Sequence, residues 1–163
     1  MGSKGRSSMN REGVLPFPAK RFDTFESVLK IDAESQRRLL HVGDEVEQVW
    51  ASWALGLKLG AHIIPELVEC LKTCRFPGTR RHFLVVLAGL GERETLEKYA
   101  VSDPAPLVRA TACRYLARTA EPGDALTERF LFERLREDAA PEVREAILEE
   151  LGLDKNRPGH RQE

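Results

Sequence analysis

The chain has 163 residues, 42% of them hydrophobic and 31% charged, with 25 Lys and Arg against 26 Asp and Glu for a formal net charge of −1. That length suits one domain burying roughly 70% of the surface its unfolded form exposes, and so high an apolar fraction excludes wholesale disorder. The charge balance excludes a global positive field that would draw the protein onto phosphate backbones, while Cys70, Cys74 and Cys113, at no framework spacing, exclude a disulfide-stapled fold and fit a reducing cytoplasm.

Residues 1–20 carry Gly, Ser and Pro with scattered Lys and Arg and no apolar period, which predicts a flexible tail. Within it, Met1 to Ser8 has the composition of an expression leader ahead of Met9, and nothing resembles a secretory signal. From Phe22 the pattern turns helical, with Phe22, Phe25, Val28 and Leu29 on one face. Asp32 is placed to cap a second short helix from Ala33 to His41, and the two segments are expected to form a degenerate first pair covering the end of a stack. A stronger helix is predicted from Asp44 to about Leu57, where Val46, Val49, Trp50, Trp53, Ala54 and Leu57 follow the helical period before Gly56 to Gly60 breaks it. Its partner runs from His62 to Thr73 with Ile63, Ile64, Leu67, Val68 and Leu71 on one face and Pro65 in the first turn, where proline is tolerated.

After Pro77 and Gly78, Thr79 to Leu90 is apolar on nearly every side, so this helix is expected mid-stack and buried all round. Its most apolar stretch, Phe83 to Leu90, falls far short of the ~20 residues needed to span a bilayer. A shorter helix follows from about Glu94 to Ala100. Two stretches then repeat at an offset of 35 residues, Asp103-Pro104-Ala105-Pro106-Leu107-Val108-Arg109 and Asp138-Ala139-Ala140-Pro141-Glu142-Val143-Arg144. Between them Asp124 to Glu137 supplies another helix with Leu126, Phe130, Leu131 and Leu135 inward, and Pro141 to Leu151 supplies the last, followed by a polar tail from residue 153 to 163. Self-similarity at this period marks stacked supersecondary units, none of which can bury its apolar face alone.

On the repeated Asp, Pro and Val-Arg positions, the trailing Leu-Gly or Leu-Ala, and Ile64-Pro65-Glu66-Leu67 opening a second helix, the chain resembles the HEAT-repeat superfamily from about residue 43 to 152, in particular its short bacterial, phycobilisome-lyase HEAT-like type. The resemblance implies an all-α solenoid of about three and a half stacked antiparallel helix pairs plus the N-terminal helices, occupying residues 21–152. It also implies that Asp103, Arg109, Asp138 and Arg144 cap helices or bridge repeats rather than form a site. The superfamily includes an iron hydroxylase marked by repeated His-Glu pairs, but His41, His62, His82 and His160 are followed by Val, Ile, Phe and Arg, so that activity does not carry over.

No catalytic constellation, phosphate loop or cofactor motif is present, and Cys70 and Cys74, one helical turn apart and joinable by Cys113 or His82, lack the second pair a zinc site uses and read as core thiols. The expected function is that of a cytoplasmic adaptor or scaffold, not an enzyme, binding a protein or peptide without metal or cofactor. Contacts are expected on the second helices, at His62, Glu66, Glu69, Glu94, Lys98, Glu128, Arg129 and Phe132; Phe132 turns away from the apolar stripe of Phe130 and Leu135 and would be an interface anchor if it is not packed on the adjoining repeat. The alternatives are nucleic-acid binding through Arg75, Arg80, Arg81, Arg114 and Arg118, or a subunit role in a lyase-type enzyme. Glu142, Glu145, Glu149 and Glu150 suit a terminal cap and a monomer, whereas an apolar patch around Leu148 would permit end-to-end dimers.

Overall fold

The computed structural model describes residues 22–153. In chain order these form α1 (Phe25–Lys30), α2 (Ala33–Val42), α3 (Glu45–Leu59), a 3₁₀ turn (Gly60–Ile63), α4 (Ile64–Thr73), α5 (Pro77–Gly89), α6 (Arg93–Ser102), α7 (Pro106–Thr119), α8 (Ala125–Glu137) and α9 (Pro141–Glu150). The tails expected at residues 1–20 and 153–163 lie outside the described residues, apart from Leu153.

The helix starts follow from local chemistry. Asp44 accepts from the backbone of Val46 and Glu47 while the Glu47 side chain returns the bond, a reciprocal capping box that fixes the entry of α3. Helices α4, α5, α7 and α9 instead begin with proline in the first turn, where its missing N–H costs nothing. Helix α3 runs through Gly56 and stops at Gly60, whose φ of +57° is a glycine conformation, so the break falls at the end of the expected Gly56 to Gly60 stretch.

Packing sorts the helices into two layers. First helices α3, α5, α7 and α9 lie side by side, and second helices α4, α6 and α8 cover them, giving three pairs and a final half. The short α1 and α2 both pack on α3, as expected of a degenerate first pair, and Gln36 of α2 donates to the Val28 carbonyl at 2.9 Å to tie them together. One continuous core runs through the stack, from Val28 through Leu55, Leu67, Leu84 and Leu116 to Ile147.

Charged rungs bind successive first helices. Arg80 of α5 reaches Asp103, in the turn before α7, with two bonds of 2.8 Å, and Arg109 of α7 reaches Asp138, before α9, at 2.7 and 2.9 Å. Each arginine also donates backward to carbonyls of its own preceding turn, Arg80 to Cys74 and Arg75, Arg109 to Asp103 and Pro104. Each aspartate caps the chain entering the next helix by accepting from Ala105 or Ala140. Asp103, Arg109 and Asp138 therefore bridge repeats, as the resemblance implied. Arg144, in the same register, is exposed and has no partner among the described residues.

Three expectations about packing change. The stripe of Val46, Trp53 and Leu57 on α3 faces outward, with Leu57 71% exposed, while α3 buries its small residues Ala51, Ser52, Ala54 and Gly56 and only one large one, Leu55. The reason is the closeness of α5: a Cβ added to Gly56 would lie 2.9 Å from Val86 Cγ1, so α3 can present little but small side chains there. Helix α5 is correspondingly not buried all round, since His82 and Gly89 are exposed and Val85 is half-buried. On α8, Leu126 is 75% exposed rather than inward.

Candidate functional site

The outward stripe of α3 is one wall of a groove on the first-helix face. Trp53, Gly56 and Leu57 of α3, Val85, Val86 and Gly89 of α5 with Leu90 just beyond it, and Tyr115, Arg118 and Thr119 of α7 line a lobe of about 370 Å³ with an almost wholly apolar wall. A Cβ placed on Gly89 would meet nothing within 4 Å, so the lobe owes its depth there to a glycine that leaves space rather than to one forced by backbone geometry. A second lobe, of about 440 Å³, shares Trp53, Val85, Tyr115 and Arg118 with the first and adds Arg81, His82, Thr111, Arg114 and Glu149. The two are halves of one depression crossing three repeats.

The charged half is organised by α9. Arg114 donates to Glu149 at 2.9 Å and to Glu150 at 3.2 Å, Arg118 reaches Glu150 at 2.6 Å, and the Arg118 guanidinium lies 5.7 Å from the centre of the Tyr115 ring. Arg81 donates through Nε to the Thr111 hydroxyl at 2.9 Å and has no carboxylate partner among the described residues. Burial and the neighbouring Arg81 charge hold the His82 pKa below its ordinary value, so the imidazole is neutral at physiological pH. Three arginines thus face two carboxylates, and the lobe keeps a local excess of positive charge.

The residues expected to make contacts are on the other face. His62 lies in the 3₁₀ turn, and the other seven lie on α4, α6 and α8. Several are held by partners: Glu66 by an ion pair with Arg37 and a hydrogen bond with His41, both at 3.0 Å, Glu69 by Lys72 at 2.9 Å, and Arg129 by Glu133 at 3.2 Å. His62, Glu94, Lys98 and Glu128 are exposed, and Lys98 lines a shallow depression between α4 and α6. Phe132 is 49% exposed, so about half of it is open to solvent. The structure does not gather these eight residues into one cavity.

The arginine set divides. Arg80 is spent in the buried rung with Asp103 and is unavailable to a phosphate, so its place in a basic cluster is corrected. Arg75 is exposed and gives its carbonyl to Arg80, whereas Arg81, Arg114 and Arg118 converge on the groove. The Trp53 and Leu57 wall is what sequence reasoning passed over, because a helical apolar stripe is ordinarily a core stripe.

A polar cleft of about 240 Å³ between α2 and the end of α4 holds Cys70 and Cys74. Cys70 Sγ lies 3.5 Å from His41 Nδ1, so the histidine beside it is His41 and not His82. Burial, helped by Glu66, raises the Cys70 pKa to about 11, and burial raises that of Cys113 to about 12, so both are protonated core thiols. Among the described residues no cluster of three or more His, Cys, Asp or Glu could hold a metal, and no helix is long and apolar enough to cross a membrane.

A family model described as HEAT repeats matches residues 64–152. Searches of curated proteins and of solved structures find no match to the chain.

Proposed function

The chain belongs to the HEAT-repeat family, whose members commonly act as protein-interaction modules, and from that premise we propose that it is an adaptor or scaffold that binds a protein or peptide partner in the groove of its first-helix face. The observation that carries the reading is the outward wall of α3: Leu57, 71% exposed, stands beside Trp53 over a groove that neighbouring repeats leave open. Aromatic and large aliphatic side chains around a preformed concavity supply anchor contacts, and rigid helices lose little ordering entropy on binding. The groove is lined by apolar and arginine side chains, a composition suited to holding a protein surface. The reading places the protein in the cytoplasm, consistent with free thiols at all three cysteines. The repeated Asp, Pro and Val-Arg positions support assignment to the short bacterial, phycobilisome-lyase HEAT-like type.

Affinity capture tests this reading. Purified protein, Leu57→Glu and Phe132→Ala are used as baits in lysate at low and high salt, with nuclease added and omitted. A discrete protein retained by wild type and by Phe132→Ala but lost with Leu57→Glu is the expected result. Retention of nucleic acid alone, falling steeply with salt, would favour the arginine reading instead.

A further inference from the structure

The groove's two lobes differ in chemistry, and that difference constrains what it can hold. Resting on the groove-binding reading above, we infer that the occupant is an acidic amphipathic helix, with its apolar face over Trp53 and Leu57 and its carboxylates against the arginines of the charged lobe.

The argument starts with backbone hydrogen bonds. The groove is bordered by side chains of α3, α5 and α7, with Leu90 just past α5, and its borders offer no strand edge with which an extended peptide could pair. An extended peptide laid there would leave its backbone unpaired against an apolar wall, whereas a helix brings its bonds satisfied. Both lobes span α3, α5 and α7, the apolar one lined by residues nearer the C-terminal ends of these helices, so a ligand helix crossing them would be apolar on one face and charged along the edge of that face.

The sign of that charge follows from the arginines. Among the described residues Arg81 donates only to the Thr111 hydroxyl, which leaves most of its donors unpaired there, and His82 adds no negative charge. Arg114 is held by Glu149, whose side chain is 44% exposed and which reaches into the lobe from α9. Glu149 therefore occupies in cis the position a ligand carboxylate would take, while the better-buried Glu150 fixes Arg118 and Arg114 from behind. Removing the Glu149 charge should release the Arg114 donor it holds, while Glu150 keeps the other, and so tighten binding, an effect opposite in sign to that of ordinary damage to a site.

The probes are three synthetic helical peptides with identical Leu and Phe positions at i, i+3, i+4 and i+7 and with Glu, Gln or Lys at the flanking positions, titrated by Trp fluorescence and calorimetry at two salt concentrations. The expected order is Glu, then Gln, then Lys, with the Glu peptide weakened by salt. Glu149→Gln should raise its affinity roughly threefold to tenfold and Arg81→Ser lower it by a similar factor, the range one partly screened charge contact spans. Both substitutions are at partly exposed positions, and circular dichroism checks their folding. Equal or better binding of the Gln or Lys peptide, still abolished by Leu57→Glu, would overturn the acidic occupant and leave the groove reading standing. Binding of none of the three overturns the inference, and the lysate comparison with Leu57→Glu then decides the groove reading separately. Concentration-dependent self-association lost in Leu57→Glu would give the groove to a second copy and overturn it as well.

Discussion

Replacing Arg80 with methionine keeps most of the stem's packing and removes the guanidinium, leaving the Asp103 carboxylate buried with, among the described residues, only the Ala105 amide as a hydrogen-bond partner. The pair is the more enclosed of the two complete rungs, with side-chain exposures of 9% for Arg80 and 1% for Asp103 against 16% and 6% for Arg109 and Asp138. Removing one partner of so buried a pair costs about 3–5 kcal/mol, which at 2–4 °C per kcal/mol for a domain of this size is a fall of about 10 °C in Tm. Arg109→Met should cost less, about 1–3 kcal/mol, because water reaches that rung. Arg144→Met should stay within about 0.5 kcal/mol, since Arg144 has no partner among the described residues. Urea unfolding followed by circular dichroism measures all three. Equal losses at positions 80, 109 and 144 would refute the argument that the rungs, rather than helix propensity, hold the first helices in register.

Other parts of the stack make separate predictions. Gly56→Ala should destabilise by about 1 kcal/mol despite the better helix propensity of alanine, because Val86 is β-branched and cannot turn away; in a Val86→Ala background the same change should become stabilising by thermal melt. At pH 8 in native protein, Cys74 should react first with a disulfide reagent, and Cys70 and Cys113, with pKa values raised to about 11 and about 12, should wait on unfolding, as mass spectrometry of labelled peptides would show. Arg109 holds the Asp138 carboxyl below its ordinary value, so its contribution to stability is present above the unfolded carboxylate pKa of about 3.9 and is lost as pH falls through the lower folded value. Asp138→Asn should therefore differ most from wild type at neutral pH, begin to approach it below about pH 4 and converge with it only below the lower folded value, in unfolding curves taken across that range.

The helix pairs were legible because each element announces itself locally. Asp32 caps α2 as its position suggests, Asp44 and Asp124 cap the helices expected to begin at them, and Pro65 and Pro141 open theirs, whereas α5 starts at Pro77, two residues before the expected Thr79. The rung partners Arg109 and Asp138 show as repeated residues at an offset of 35. Arg80 escaped that comparison because it precedes Arg109 by only 29 positions, the intervening α6 being short, and so it looked like part of a basic surface cluster with Arg75, Arg81 and His82. The groove escaped for a different reason. Periodicity shows that Trp53 and Leu57 share a face but not which face the neighbouring helix covers, and that is decided by the approach of Val86 to Gly56, a contact between residues thirty positions apart. The convergence of Arg81, Arg114 and Arg118 with Glu149 likewise depends on how three repeats stack, which single-helix patterns do not encode.

A photo-crosslinking residue placed at position 57, and in a second protein at position 132, tests most directly where this molecule binds. Expressed in the source cells and irradiated, the position 57 protein should yield a discrete protein adduct that is absent from the position 132 protein, since Leu57 lines the groove and Phe132 stands on the opposite layer. Adducts formed only from position 132 would move the binding surface to the second helices and contradict the account.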